Sequence, residues 1–164
     1  MLVSAHHIVR AAAASVAAAL LVSGCSGPFP ADSQGSLAHA TGGTISVGAT
    51  TNPPWTEISP DGAVTGVEAD LVTDYAESID AEITWVPGSE SVLADRMKDG
   101  ELDIMIGGLT SKAPWTDKVA LTRPYTTVRG EDGTTEKMVM GVRPGENALM
   151  VSLETFLDDQ DAER

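Results

Sequence analysis

The sequence predicts an α/β fold in which a parallel sheet, built from a βαβαβ unit, is followed by a β-hairpin and a helix. Short β-type runs alternate with stretches whose apolar residues recur at helical spacing, and brief turn signals separate them. The 164 residues, 42% of them hydrophobic, are enough for one domain with a small core plus extensions.

The first part of this pattern supplies the parallel sheet. The expected elements are a strand at 45–49, a hairpin around the turn 61–62, a helix beginning near 67, a strand at 81–86, a helix at 89–98 and a strand at 103–106. Glu68 or Asp70 suits the first turn of the first helix, where a carboxylate meets free amides and the positive end of the helix dipole. Short strand–helix–strand connections imply right-handed crossovers.

The last part predicts an antiparallel ribbon and a closing helix. Two β-type runs, 126–129 and 137–143, flank a polar, turn-rich connection at 130–136. Residues 148–157 carry apolar side chains at helical spacing. Residues 158–164 are expected to form a charged, frayed tail.

The first 44 residues are expected to lie outside the domain. Residues 1–24 have the pattern of an export signal, with a weakly basic start and an apolar stretch too short to span a bilayer. They end in Leu-Val-Ser-Gly before the one cysteine of the chain, which resembles a bacterial lipobox and predicts lipidation of Cys25. With a lipobox, residues 25–44 are the lipidated cysteine and a flexible Gly-, Ser- and Pro-rich tether, and residues 45–157 are the domain. The alternative is a plain secretory signal with an incidental cysteine.

Charge and composition narrow the function classes. The formal net charge of −14 argues against nucleic acid and against an anionic membrane surface as partners. A single cysteine excludes an intrachain disulfide. The predicted domain holds no histidine and shows neither a Cys/His cluster nor a phosphate-binding loop. We therefore expect no catalysis, metal or other cofactor.

A candidate binding edge follows the third parallel strand. Gly107 and Gly108 permit close approach of the backbone, and Thr110 adds an exposed hydroxyl. A strand, a glycine turn and a hydroxyl commonly present a small-molecule site at the carboxyl end of a strand. A proline-stiffened loop holds Trp55, and Trp115 lies in the polar segment after Thr110. Each tryptophan is either a packing residue or part of this site, where the two would flank a cation or an apolar group.

Several segments between residue 45 and about residue 157 together resemble one family. They are the NPPW loop, the DG turn, GVEADL, DGELD, GGLT and TRPY, in that order. This arrangement is similar to the bacterial extracellular solute-binding proteins of family 3, which serve polar amino-acid ABC transporters. The resemblance implies a type II periplasmic-binding-protein-like lobe, with Trp55, Gly108, Leu109 and Thr110 at the ligand site.

Two departures distinguish this chain from the family pattern. The family commonly has a carboxylate-binding arginine at the position of Trp115, and tryptophan cannot form a bidentate clamp. The short connection at 130–136 stands where the family chain crosses to a second lobe and returns. The resemblance therefore implies a single lobe with an open face, which buries a small ligand poorly.

The function expected from these features is that of a lipid-anchored, extracytoplasmic solute-binding protein of an amino-acid or related small-solute ABC transporter. Expected partners are a small polar solute (an amino acid or a cation), an ABC permease or other membrane protein, and a second copy of the chain as a homodimer. The alternative is a protein-interaction module that kept the fold and lost solute binding. A dehydratase-like enzyme of the same fold is a third interpretation.

Overall fold

A computed structural model describes residues 30–130 and 133–162. The predicted signal segment, Cys25 and the first residues of the predicted tether lie outside the described residues. In chain order the elements are α1 (Ser36–Ala40), β1 (Thr44–Ala49), β2 (Glu57–Ile58), β3 (Val64–Thr65), α2 (Val67–Ser78), β4 (Glu82–Pro87), α3 (Glu90–Lys98), β5 (Ile104–Ile106), β6 (Ala120–Leu121), β7 (Thr126–Arg129), β8 (Thr135–Met138), β9 (Gly141–Val142) and α4 (Asn147–Ala162).

A mixed five-stranded sheet forms the centre, with its strands in the order β4-β1-β5-β9-β6. Strands β4, β1 and β5 run parallel, and Val47 of β1 pairs with Trp85 on one side and Ile104 on the other. Helices α2 and α3 connect these strands, which confirms the predicted βαβαβ unit. The predicted hairpin around residues 61–62 is also present, because β2 pairs antiparallel with β3.

The sheet buries two hydrophobic clusters, since side chains along a strand alternate between its faces. The first cluster joins Ile104 and Ile106 of β5 to apolar residues of α2 and α4, among them Tyr75 and Leu149. The second cluster joins Met105, between those two isoleucines, to apolar residues of α3. All three residues of β5 are buried, so this strand contributes to both clusters.

The C-terminal ribbon differs from the predicted one. Strands β7 and β8 form the expected antiparallel hairpin. The second predicted run, 137–143, does not stay in that hairpin, because its end, β9, enters the main sheet between β5 and β6. Gly141 permits this position: a Cβ there would lie 2.5 Å from Val119 Cγ1 and 3.2 Å from Met105 Cβ.

The expectation of a flexible tether is wrong for residues 30–44. Helix α1 occupies part of this segment, and Thr44 already belongs to β1. Ala40 is buried in the first cluster, and Leu37 packs against it. Asp32 accepts hydrogen bonds from the amides of Ala148 at 2.6 Å and Leu149 at 3.0 Å, at the start of α4. The segment is ordered by contacts with distant residues, which its own composition does not reveal.

Glu146 also joins residues 30–44 to the start of α4, but here the acceptor lies next to α4 and the donors lie in the N-terminal segment. Its buried carboxylate, just before α4, accepts hydrogen bonds from the Ser33 hydroxyl at 2.6 Å and from the amides of Gln34 and Ser36 at 2.9 and 3.0 Å. Burial is the largest single influence and raises the pKa of Glu146, but these hydrogen bonds together lower the pKa below its ordinary value. Glu146 therefore fixes the start of α1 as Asp32 fixes the start of α4.

The predicted frayed tail at 158–164 is wrong for its first residues. Helix α4 continues to Ala162, and Leu157 is buried in the first cluster. Arg123 pairs with Glu154 and with Asp158, each at 2.9 Å, and thereby supports the last turns of the helix. Asp158, the first charged residue of the segment, is exposed and takes part in this ion pair.

Candidate functional site

The turn at Gly107-Gly108 lies at the carboxyl end of β5, and two side chains hold it in place. Glu68 Oε2 accepts hydrogen bonds from both glycine amides, each at 2.8 Å. Asn52, in the proline-rich loop after β1, donates from Nδ2 to the Gly107 carbonyl at 3.0 Å. Both glycines have positive φ, 147° and 70°, which other residues rarely adopt. The protein itself therefore fixes the conformation of this turn.

Glu68 is fully buried and accepts four hydrogen bonds. Besides the two glycine amides, the Tyr125 hydroxyl donates to Oε1 at 2.7 Å and the Thr56 hydroxyl donates to Oε2 at 3.3 Å. Burial raises the pKa of Glu68, and the hydrogen bonds oppose this rise without cancelling it. Burial and the nearby carboxylate also raise the pKa of Tyr125, so the tyrosine remains a hydrogen-bond donor.

These contacts correct the role that the sequence suggests for Glu68. The residue does lie in the first turn of α2, but its carboxylate serves the glycine turn after β5, and no side-chain cap forms at this helix end. A signal was available in the sequence. Glu68 precedes Leu71, Val72 and Tyr75 at helical spacing, which places it on the buried face. A carboxylate on an apolar helix face is expected to have buried partners.

Trp55 lies beside the glycine turn. A Cβ built on Gly108 would lie 2.8 Å from Trp55 Cδ1 and would collide with the Asn52 amide. The indole is half-buried against the first cluster, and the Trp55 carbonyl accepts a hydrogen bond from the Glu68 amide at 2.9 Å. Trp55 therefore packs against the core and also borders the candidate site, two roles that the sequence left as alternatives.

Leu109 and Thr110, which follow Gly108, have different environments. Leu109 is buried in the second cluster, so its side chain is not available to a solute. Thr110 is partly exposed, and its hydroxyl accepts a hydrogen bond from the Lys112 amide at 3.3 Å. The backbone of Thr110 also bridges to Met138 at the end of β8. Thr110 thus connects the glycine turn to the β7–β8 hairpin.

Trp115 belongs to a different part of the lobe. Its Nε1 donates to Glu90 at 2.9 Å, at the start of α3, and its ring packs against the second cluster. Lys118 Nζ lies 5.8 Å from the ring centroid and pairs with Asp95 at 2.7 Å. Because Trp55 packs on the first cluster and Trp115 on the second, these contacts favour a packing role for Trp115 over a cage around a cation.

We expect Gly108→Ala to lower the free energy of unfolding by about 1–3 kcal/mol, because the added methyl group meets Asn52 and Trp55 at a positive φ. The displaced indole becomes more exposed, which should shift the tryptophan emission to longer wavelength. Urea denaturation and fluorescence measure both effects. Gly62→Ala is the matched control, since Gly62 also has positive φ but open space around it. If the two variants lose the same free energy of unfolding and the tryptophan emission stays unchanged, Trp55 does not pack against Gly108.

A family model decides the classification of this lobe. The model for bacterial extracellular solute-binding proteins, family 3, matches residues 45–163. The chain belongs to this family. Membership in family 3 implies a solute-binding role outside the cytoplasm. Within the described residues, no helix is both long and apolar enough to cross a membrane.

Solved structures similar to this family-3 lobe include several amino-acid-binding proteins. Arginine-bound domain 1 of TmArgBP, the arginine-binding protein of T. maritima, is 24% identical with a TM-score of 0.62, over 72% of this chain and 93% of that one. A periplasmic binding protein of Salmonella typhimurium, described as highly specific for arginine, is 12% identical with a TM-score of 0.62, over 73% and 93% of the two chains. An ancestral amino-acid-binding protein, described as a precursor of cyclohexadienyl dehydratase, is 15% identical with a TM-score of 0.64, over 73% and 90%. No curated protein sequence matches the chain.

At these identities the structural matches establish the fold alone. They confirm a type II periplasmic-binding-protein-like domain, and the match to 93% of an isolated domain 1 agrees with the single lobe expected from the sequence. The hairpin β7–β8 stands at the connection that the sequence predicted in place of a second lobe.

Proposed function

We propose that this family-3 lobe is a lipid-anchored solute-binding protein that serves an ABC transporter for amino acids or related small solutes. The observation that carries the proposal is the turn at Gly107-Gly108, which Glu68 and Asn52 fix at the carboxyl edge of the sheet. Trp55 borders the turn and Thr110 follows it. A binding surface that is ordered in advance loses little conformational freedom when a solute binds.

A single lobe offers one wall to the solute, so the other wall comes from a partner. Small-molecule sites normally bury most of the ligand surface, and an open edge does not. A transporter permease or a second copy of this chain would close the site over Trp55 and Gly108. On this proposal, solute affinity measured with the isolated lobe is weak and increases when the partner is present.

A second candidate function is that of a protein-interaction module without a solute. The observation that favours it is Trp115, which occupies the position of the family's carboxylate-binding arginine and is fixed on α3 by its hydrogen bond to Glu90. Half-buried tryptophans are suited to the centre of a protein interface. The two candidates differ in whether any small solute stabilises the folded lobe.

A thermal-shift screen of residues 26–164 against amino acids, polyamines, quaternary amines and small organic acids tests the proposal. We expect a saturable, concentration-dependent rise in Tm with one class, since a ligand at 100 times its Kd adds about 2.7 kcal/mol to the free energy of unfolding. Gly108→Ala should reduce this rise because it disturbs the fixed turn. A folded protein whose Tm is unchanged by every class would favour the interaction module.

The lipid anchor has a separate test. We expect Cys25→Ser to move the protein from the membrane fraction to the soluble fraction of the cell that makes it, because the acyl chains supply the membrane affinity. Fractionation followed by immunoblotting measures the distribution. Ser26→Ala, a neighbouring change that keeps the cysteine, is the control. A Cys25→Ser protein that stays with the membrane would contradict the anchor.

A further inference from the structure

An open apolar groove lies between α1, the residues just before it and the start of α4. Its volume is about 590 Å³, within the roughly 300–1,000 Å³ of sites that take small molecules. Its apolar lining is supplied by Pro30, Ala31, Leu37, Ala38 and Ala148. Leu37 is half-buried and packs against the first cluster, whereas Ala31 and Ala38 are exposed. The groove therefore presents hydrocarbon surface on a chain whose formal net charge is −14.

The polar side chains at this groove are already engaged with the backbone. Among the described residues that line it, Asp32 alone is ionisable. Its Oδ1 accepts from the amides of Ala148 at 2.6 Å and Leu149 at 3.0 Å. Its Oδ2 accepts from the Leu37 amide at 2.8 Å, and the Thr41 hydroxyl donates to the Leu37 carbonyl at 2.8 Å. The groove therefore suits an apolar chain better than a polar solute, which would lose its contacts with water.

The groove is close in the chain to the cysteine of the proposed lipid anchor. Cys25 precedes Pro30, a lining residue, by five residues, which span at most about 18 Å when fully extended. An acyl chain on Cys25 therefore starts within reach of the groove. Because the chain is attached to the same molecule, its effective concentration at the groove is high.

The charges at this end of the lobe disfavour the surface of an anionic bilayer as the occupant. Residues 42–44, just after α1, line a second cleft together with the exposed carboxylates of Glu77, Asp80 and Glu82. Neither the groove nor this acidic cleft has a lysine or arginine among its described lining residues. Anionic headgroups would be repelled here, whereas an uncharged acyl chain that is already attached needs no favourable charge.

We propose that this groove holds one acyl chain of the lipid on Cys25. The inference rests on the lipid anchor of the proposed function and is independent of solute binding. Each methylene group that becomes fully buried strengthens binding about fourfold, so part of one chain is sufficient.

This arrangement would orient the lobe on its anchor. Helix α1 leads into the amino end of β1, whereas the glycine turn follows the carboxyl end of β5, which runs parallel to β1. The groove and the turn therefore lie toward opposite ends of the sheet. An acyl chain in the groove holds the amino end of the sheet near the bilayer and leaves the glycine turn free.

Octyl glucoside, titrated below its micelle concentration, tests whether the groove takes a hydrocarbon chain. The protein is ¹⁵N-labelled residues 26–164, which retain every residue of the groove. We expect saturable amide shifts at Ala31, Ala38 and Ala148, and none with methyl glucoside, which has the same head group without the chain. Hexyl glucoside should bind more weakly, by up to about fourfold for each missing methylene group.

Two variants place a polar amide in the groove. Ala38→Gln and Ala31→Gln should each weaken octyl glucoside binding at least about fourfold, the equivalent of one methylene contact. Ala63→Gln is the matched control, since Ala63 is likewise an exposed alanine but lies between β2 and β3. Gly108→Ala should also leave this binding unchanged. Equal shifts with methyl glucoside, or equal weakening by Ala63→Gln, would overturn the proposal.

Amide hydrogen exchange of the lipidated protein in phosphatidylcholine nanodiscs identifies the occupant. We expect residues 30–41 to exchange more slowly in the lipidated protein than in unlipidated residues 26–164 mixed with the same nanodiscs. Ala38→Gln should remove this difference, and Ala63→Gln should keep it. Mass spectrometry of peptides from both samples measures the exchange.

The other occupants give different results, and each would overturn the proposal. Equally slow exchange in both samples would make bilayer lipid the occupant. A dimer of residues 26–164 in sedimentation, dissociated by Ala38→Gln, would make a second copy the occupant. If Cys25→Ser protein stays with the membrane fraction, the anchor fails and this inference fails with it, while solute binding is unaffected. If Cys25→Ser protein is released but the two samples exchange equally fast, the anchor stands and this inference alone fails.

Discussion

Replacing Glu68 with alanine should lower the free energy of unfolding by at least about 3 kcal/mol, a larger loss than Gly108→Ala produces. The substitution leaves four donors without their acceptor: the amides of Gly107 and Gly108 and the hydroxyls of Tyr125 and Thr56. An unsatisfied buried donor costs about 1–3 kcal/mol, and water entering the space offsets part of that cost. Urea denaturation followed by circular dichroism measures the difference.

Asp70→Ala is the matched control, because Asp70 lies in the same helical turn but is exposed to solvent. We expect it to cost less than about 1 kcal/mol, the usual range for a carboxylate near a helix N-terminus. If both variants lost the same free energy of unfolding, the helix dipole, rather than the glycine turn, would explain the stabilising effect of Glu68. Tyr125→Phe removes a single donor and should have an intermediate effect.

The stability that depends on Glu68 should also change with pH. Because burial raises its pKa, the folded state binds a proton more tightly than the unfolded state does. The contribution of Glu68 to the free energy of unfolding therefore decreases as pH rises from its ordinary value of 4.5 through the raised value. The stability difference between the natural protein and Glu68→Gln should narrow over this range, and a difference that widens would contradict the raised pKa.

Deleting residues 26–43 should lower Tm by at least about 10 °C. The deletion removes Leu37 and Ala40 from the first cluster, Asp32 from the start of α4, and the donors that satisfy Glu146. One lost helix cap costs about 1 kcal/mol, and loss of the partly buried Leu37 adds less than the roughly 1.5–3 kcal/mol of a fully buried leucine. Differential scanning calorimetry measures the change.

A shorter deletion, of residues 26–29, is the control and should leave Tm unchanged, because it keeps Asp32, Leu37, Ala40 and the donors to Glu146. The single variant Asp32→Ala should cost about 1 kcal/mol, and the exposed Asp74→Ala should cost less. If the longer deletion is as stable as the shorter one, the segment behaves as the flexible tether that its composition predicts, and the contacts of α1 are energetically unimportant.

Local patterns predicted most of the elements of this lobe. The three parallel strands and the helices between them were found because their apolar periodicities and turn residues are encoded in a few neighbouring positions. The hairpin around residues 61–62 was found for the same reason. The prediction failed where distant contacts decide the conformation, as in α1, in the last turns of α4 and in β9.

The candidate site was predicted in part, since the sequence indicated the edge but not its support. The glycine turn and Trp55 stood out by residue type, whereas Asn52 and Glu68 resembled an ordinary loop residue and an ordinary helix-start carboxylate. Their partners lie 55 and 39 residues away, so only the folded chain reveals them. The alternative in which Trp55 and Trp115 flank a ligand has no such contact to support it, because the two tryptophans pack on different clusters.

The sequence by itself determined the fold class, the family and the position of the glycine turn after the third parallel strand, because motif order and short-range periodicity carry that information. The tertiary structure alone decided that Glu68 and Asn52 fix the glycine turn and that residues 30–44 are ordered. The physical reason is that burial and hydrogen bonding depend on which distant segments meet. The same carboxylate or lysine is an exposed charge in one arrangement and a fixed partner in another.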